Sequence, residues 1–161
     1  MDVSPTAAAR TIPATSTVES GNLLIRGAGL TAVAAVLFPR LNAVLHEGEA
    51  IWQLDTEAAV LIPIVVAVTL ALFATVGRWA CRESARNRPA SVGLGFGIAA
   101  IVGVIAFWIS APIIFGGVAL TLGIEGGRRT AVLGRGRLAR AAVILGAIAV
   151  VGGAAIWLIG N

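Results

Sequence analysis

Long apolar stretches dominate the chain, and most charged residues lie in the short segments between them. A helix needs about 20 apolar residues to cross the hydrocarbon core of a bilayer. Two stretches, about 58–77 and about 140–160, meet this length with no charge in their interior. A third, about 23–45, carries Arg26 and Arg40 near its ends, where a long side chain reaches the headgroups. We therefore predict a membrane-spanning helix at each of these stretches.

The uncharged run between Arg88 and Glu125 is too long for one crossing. It holds the 36 residues from 89 to 124, which as one helix would measure about 54 Å. Pro112, in its second half, suits the first turn of a new helix and disfavours continuation of an old one. The sequence therefore predicts two spans, about 91–109 and 112–126, joined by a tight turn. The second span is short, so the bilayer thins there or neighbouring helices shelter it.

The positions of the arginines support five spans. With that number, the N-terminal tail and the segments 78–90 and 127–140 lie on one side and hold eleven of the twelve arginines, while Arg40 remains on the other. Basic residues collect on the cytoplasmic side of membrane proteins. We therefore expect the N-terminus inside and the C-terminus outside. All four tryptophans fall near predicted span ends, as the aromatic belt of a membrane protein requires, at Trp52, Trp79, Trp108 and Trp157.

Composition agrees with this class. The chain is 58% apolar and 12% charged, with a mean hydropathy of +0.94, whereas soluble domains carry about 25% charged residues. We predict an all-α integral membrane protein, in which residues 1–21, rich in Ser, Thr, Ala and Pro, form a disordered cytoplasmic tail and residues 22–161 form the transmembrane helical bundle. The basic pI alone is typical of nucleic-acid binding, but the arginines follow membrane topology, so no nucleic-acid partner is expected.

The predicted outer loop, HEGEAIWQLDTE, is the one place where an imidazole lies beside carboxylates. Such a group is a candidate site for a divalent ion, but one histidine and unspecific spacing favour a solvated acidic loop, and we predict no metal site. Alternatively, apolar residues from Leu41 to Leu54 make this segment a short helix on the outer surface. The candidate ligands are His46, Glu47, Glu49, Asp55 and Glu57.

Three further polar residues are candidates for function, each with an ordinary structural explanation. Arg40 near the membrane core is expected to snorkel or to pair with acids of the outer loop. Glu125 precedes Arg128 and Arg129 by three and four residues, which is the spacing of an ion pair on a helix surface. Cys81 is a candidate for acylation, although an inert thiol is favoured because nothing marks it as activated.

Small residues recur at helical spacing in the third and fifth spans. Residues of this kind, four apart, let membrane helices approach closely. We expect Gly93 and Gly97 to face a neighbouring helix, and the last span offers a similar row at Ala142, Gly146, Ala149 and Gly153.

The stretch PIIFGGVALTLGIEGGRRTAVLGRGRLARAAVILGAIAV resembles a small membrane domain common in actinobacteria. Its matching elements are the GGVALTLGI run, the Arg128 and Arg129 pair, the GRGRLAR turn and the following LGAIAV. The resemblance covers about the last 70 residues. It implies topology and bacterial origin, and because that family has no assigned activity it implies no site.

No P-loop, dinucleotide fingerprint, HExxH or serine elbow occurs in the sequence. We therefore predict a small, non-enzymatic, multi-span protein of the bacterial inner membrane, of accessory, structural or regulatory type and without a cofactor. The alternative is a subunit of a small transporter or channel, and a third hypothesis is an intramembrane enzyme acting on lipid. Expected partners are the bilayer, with anionic lipids at the arginine-rich inner loops, and a homo-oligomer or larger membrane partner.

Overall fold

The computed structural model describes residues 15–48, 50, 56–82, 86–106 and 110–159, and every regular element among them is helical. Turns of π-helix at Ala43–Glu47 and Phe73–Gly77 extend the first helix and join the second to the third. The predicted all-helical class is confirmed for these residues. The helices are α1 (Thr15–Asn42), α2 (Thr56–Leu72), α3 (Arg78–Cys81), α4 (Arg88–Ala106), α5 (Ala111–Arg128), α6 (Thr130–Leu133) and α7 (Gly136–Ile159).

Helix α5 lies at the centre of the bundle. Twelve of its 18 residues are buried, and it packs against α1, α4 and α7. Val118 and Leu122 are fully buried, as are the glycines that allow close approach on the other faces of the helix. Neighbouring helices therefore shelter this short helix, as the sequence suggested for its span.

The predicted break in the long uncharged run is confirmed. Helix α4 ends at Ala106, and α5 begins at Ala111 with Pro112 in its first turn. The missing N–H of a proline costs nothing at this position, because the first amides of a helix have no partner within it. Ser110, immediately before α5, donates a hydrogen bond of 2.9 Å from its hydroxyl to the Ala35 carbonyl of α1.

Glycines in α4 set its close approach to α5 and α7. A Cβ added at Gly93 would lie 3.1 Å from the Gly123 amide nitrogen, and one at Gly97 would lie 2.9 Å from Leu145 Cβ. Both glycines therefore face neighbouring helices, which confirms the sequence prediction. A Cβ added at Gly126, near the end of α5, would lie 2.7 Å from the nitrogen of Ala90, near the start of α4. Because the end of one helix lies beside the start of the other, α4 and α5 are antiparallel.

The small residues of α7 pack against α5 in the same way. A Cβ added at Gly146 would lie 2.7 Å from the Gly116 carbonyl oxygen, and one added at Gly116 would lie 2.9 Å from the Gly146 oxygen. Ala142 and Ala149 are fully buried beside them. Since lipid tails are as apolar as Val or Leu, this contact area is what holds membrane helices together.

Three helices in the described part of the chain are long and apolar enough to cross a membrane: Val18–His46, Thr56–Cys81 and Gly136–Ile159. They coincide with the predicted spans 23–45, 58–77 and 140–160. Large apolar side chains point outward along them, as lipid contact requires. These include Ile25, Leu30, Val33, Val60, Ile64, Ile144, Ile148 and Val151.

Two predicted boundaries differ from the structure. Helix α1 begins at Thr15, so residues 15–21, predicted as part of a disordered tail, are helical, and Ser20 among them is packed against α5. Residues 1–14 lie outside the described residues. Residues 41–47, predicted as the first part of a surface helix over 41–54, instead continue α1. This continuation ends at Gly48, whose φ of +68° favours glycine. Residues 49 and 51–55 lie outside the described part.

Candidate functional site

Side-chain contacts gather the arginine-rich segments at one end of the bundle, which we call the arginine-rich end. It comprises the first turns of α1, the end of α3, the start of α4, the end of α5 and the start of α7. Hydrogen bonds from Ser20 to Glu125, from Arg129 to the Cys81 carbonyl and from Arg135 to Ser91 connect these segments. The sequence predicted that these segments share one side, and the contacts place them together.

A buried ion pair lies at the centre of this end. Arg129 Nε donates a hydrogen bond of 2.7 Å to Glu125 Oε1, four residues earlier. The glutamate is 3% exposed and the arginine 7% exposed. The predicted pairing of Glu125 with Arg129 is therefore correct, but its predicted location on a helix surface is wrong, because that face of α5 packs inside the bundle. Arg128, the other predicted partner, is exposed.

Two further groups complete the arrangement. The hydroxyl of Ser20 in α1 donates to Glu125 Oε1 at 2.5 Å, and Arg129 Nη2 donates to the Ser20 oxygen at 3.2 Å. The same Nη2 donates to the Cys81 carbonyl oxygen at 2.8 Å. The cysteine takes part through its backbone, and its side chain is half-buried at the end of α3. We call Ser20, Glu125, Arg129 and the Cys81 carbonyl the polar cluster.

Asn87 ties the start of α4 to the same end of the bundle. This fully buried side chain donates from Nδ2 to the Gly126 carbonyl at 2.8 Å and to the Gly134 carbonyl at 2.9 Å. Gly126 lies in the last turn of α5, where carbonyls have no partner within the helix. The Asn87 side-chain oxygen accepts a bond of 3.4 Å from the Ala90 amide, which caps α4. One side chain therefore fixes three segments.

The electrostatics of the polar cluster favour a structural role, in which the buried charges stabilise the packing of the helices. Charges are costly to bury, and a buried pair is tolerated only when other hydrogen bonds satisfy its members. Here the carboxylate has a guanidinium and a hydroxyl as donors, and the guanidinium has two additional oxygen acceptors. Both of these donors bond to the same carboxylate oxygen, Oε1, so the carboxylate links α1 to the end of α5.

The remaining arginines of this end form an exposed basic surface, which we call the basic rim. It surrounds the polar cluster with positive charge, and the guanidinium of Arg88 lies 5.5 Å from the ring centroid of Trp79, a cation–π contact. Anionic lipid headgroups are attracted to such surfaces. The rim consists of Arg26, Arg78, Arg82, Arg86, Arg88, Arg128, Arg135, Arg137 and Arg140.

The opposite end carries the other candidates of the sequence. Asn42 donates from Nδ2 to the Trp157 carbonyl, which joins the ends of α1 and α7. Arg40 Nη2 donates to the Ala50 carbonyl at 3.4 Å. His46 is exposed, and its Nδ1 lies 3.3 Å from the Asn42 carbonyl oxygen. Glu57 is exposed at the start of α2.

The other three candidate metal ligands do not enter this geometry, because Glu49, Asp55 and the side chain of Glu47 lie outside the described residues. No three His, Cys, Asp or Glu side chains within the described ranges come together as a metal site. The predicted pairing of Arg40 with an acid of the outer loop falls on the same undescribed side chains.

Sequence reasoning missed Ser20 and Asn87. Nothing local marks Ser20, because its partner lies 105 positions away. Asn87 did carry a signal: an asparagine two residues before Pro89, at the start of an apolar run, is typical of a helix N-cap. That signal indicates the cap, though not the two carbonyls that the side chain also binds.

Comparisons with known proteins assign no family to the chain. No protein-family model matches it, and no match is found among curated proteins or among solved structures.

Proposed function

We propose that this chain is a small bacterial inner-membrane protein of accessory, structural or regulatory type, without catalytic activity. It crosses the membrane five times, with the arginine-rich end in the cytoplasm and the C-terminus outside. Support comes from the three long apolar helices and from the antiparallel α4 and α5 beside them.

The observation that carries the non-catalytic proposal is the state of Glu125. Among the described residues it is the one buried acidic side chain, and it is bound by Arg129 and Ser20. Proton-coupled transporters and intramembrane enzymes use ionisable groups that face a substrate path or a water-filled cavity. This carboxylate instead joins α1 to α5. It stabilises a bundle whose other contacts are close approaches of small residues.

A subunit of a small transporter or channel is the second candidate. The helix Thr56–Cys81 favours this second candidate, because only 11% of its most apolar 18-residue stretch is buried inside the bundle. It packs mainly against α1 and contains the π-helical turn Phe73–Gly77. Turns of this type are frequent at functional sites. A helix so little covered by its own chain has a broad surface for lipid or for another membrane protein.

Purification in mild detergent tests the two candidates against each other. The wild-type chain is isolated from membranes, and co-purifying chains are identified by mass spectrometry. We expect a stoichiometric partner protein and no ion flux after reconstitution into liposomes. A solitary homo-oligomer that carries ion flux in liposomes would overturn the accessory function and establish the transport candidate.

A further inference from the structure

A groove of about 370 Å³ runs along the outside of the bundle between the end of α5 and the start of α7. It is open to the surroundings and belongs to a different face of α5 from the polar cluster, since Ile124 lines it whereas Glu125 points to α1. Its volume lies within the usual range of ligand sites, about 300–1,000 Å³. None of the hydrogen bonds described above involves a residue that lines this groove.

The groove changes from polar to apolar along its length. At the arginine-rich end its walls are Thr130, Gly136 and the exposed Arg140. One helical turn further along α7 they become Val143 and Ile144, which lie opposite Ile124 of α5. The positive charge therefore lies where the headgroup region is expected, and the apolar walls lie where acyl chains begin.

The chain turns sharply next to the groove. Gly134 and Arg135, between α6 and α7, both have positive φ, of +69° and +65°. Positive φ is uncommon for a residue other than glycine, and the Arg135 side chain is held by a bond of 2.8 Å from Nη1 to the Ser91 hydroxyl. On the α5 side, a Cβ added at Gly127 would meet nothing within 4 Å. Gly127, which lines the groove together with Arg140, therefore leaves open space on that side.

The positive charge of the groove favours an anionic ligand. Arg140 is the single charged side chain among the described residues that line the groove, and none of them is acidic. A guanidinium binds phosphate oxygens through several N–H donors. The basic rim adds further positive charge around the entrance, and an apolar wall of Ile and Val suits methylene chains.

We propose that this groove binds one anionic phospholipid, with its phosphate against Arg140 and its upper acyl methylenes against Ile124, Val143 and Ile144. The inference rests on the proposed membrane location and deepens it, because it turns general attraction to anionic lipid into one defined site. The bound lipid fills the groove between α5 and α7. It anchors the arginine-rich end at the headgroup level.

The test is native mass spectrometry of the full chain in detergent with added phosphatidylglycerol or phosphatidylcholine. We expect one retained phosphatidylglycerol per chain and weaker retention of phosphatidylcholine. Arg140→Gln should weaken retention of phosphatidylglycerol about fivefold, the effect of one basic residue at a membrane surface. Arg137→Gln removes the same charge from an exposed residue that does not line the groove, and should weaken retention less than Arg140→Gln does.

A second pair of variants tests the groove itself. Gly127→Leu fills the open space at its entrance and should abolish the lipid adduct, whereas Gly95→Leu, also at a site with nothing within 4 Å, should leave it unchanged. Equal losses in Arg137→Gln and Arg140→Gln, equal retention of both lipids, or an adduct that survives Gly127→Leu would each overturn the site.

Carbonate washing of cell membranes separates this result from the proposed function. Release of the wild-type chain would overturn the membrane location and the lipid site together. A chain that stays in the membrane while failing the lipid tests overturns the groove alone.

Discussion

Removing one member of the buried ion pair should cost far more stability than removing an exposed charge beside it. Glu125→Gln keeps the shape of the side chain but leaves the Arg129 guanidinium, 7% exposed, without its carboxylate. Breaking a buried pair in this way costs about 3–5 kcal/mol. The Ser20 hydroxyl and the Cys81 carbonyl remain as neutral partners of the guanidinium, so we expect the lower limit, about 3 kcal/mol.

Replacing both members of the pair shows whether the loss of stability comes from an unpaired buried charge or from any substitution at these two positions. Glu125→Leu with Arg129→Met removes both charges and fills the space with apolar atoms, a change that is often neutral or stabilising for buried pairs. We expect this double variant to be more stable than either charge-breaking single variant, with a coupling energy of about 2 kcal/mol.

Equilibrium unfolding in mixed micelles of dodecyl maltoside and dodecyl sulfate, followed by tryptophan fluorescence, measures these free energies. Arg128→Gln is the control, because it removes an exposed charge next to Arg129 and should change the free energy of unfolding by less than about 0.5 kcal/mol. Single variants at Glu125 and Arg129 that unfold like Arg128→Gln would refute the burial of the pair.

Three other substitutions test the remaining contacts of the bundle by the same unfolding assay. Gly146→Ala places a Cβ 2.7 Å from the Gly116 oxygen and 2.8 Å from the Leu120 nitrogen, and should destabilise by about 1–3 kcal/mol. In Gly152→Ala the added Cβ meets nothing within 4 Å, so this variant should stabilise the protein by about 0.4–1 kcal/mol. Equal changes in the free energy of unfolding for the two glycine variants would contradict the close approach of α5 and α7. Asn87→Ala removes two side-chain hydrogen bonds and the cap of α4, so it should lower the free energy of unfolding by about 2–3 kcal/mol. It should also speed amide hydrogen exchange at the start of α4, and unchanged exchange would contradict the capping role of Asn87.

Features with a local cause could be predicted from the sequence. Pro112 marks the start of a new helix because a proline lacks an N–H and is best tolerated in the first turn of a helix. Gly93 and Gly97 face neighbours because residues four apart share one helix face. The arginines gather at one end because each apolar helix reverses the direction of the chain. For the proline and the two glycines, the signal lies within one or two helical turns of the residue, whereas the arginines follow the number of apolar helices between them.

Features that depend on how the helices pack could not be predicted in this way. The spacing of Glu125 and Arg129 predicted the pair, but its burial depends on α1, whose Ser20 covers it. The start of α1 at Thr15 was missed for the same reason, since residues 15–21 are too polar to predict a helix without that contact. Hydroxyl and amide side chains are common in sequences, and only the tertiary arrangement selects the few that pair over long distances.

Five crossings of the membrane with the arginine-rich end inside place the C-terminus outside, and reporter fusions measure this arrangement. Alkaline phosphatase, which is active only outside the cytoplasm, is fused after Gly134 in one fusion and after Asn161 in another. Between these points lies one apolar helix, Gly136–Ile159. We expect a silent fusion at Gly134 and an active one at Asn161. An active fusion at Gly134 with a silent one at Asn161, or equal activity of the two, would contradict the proposed orientation.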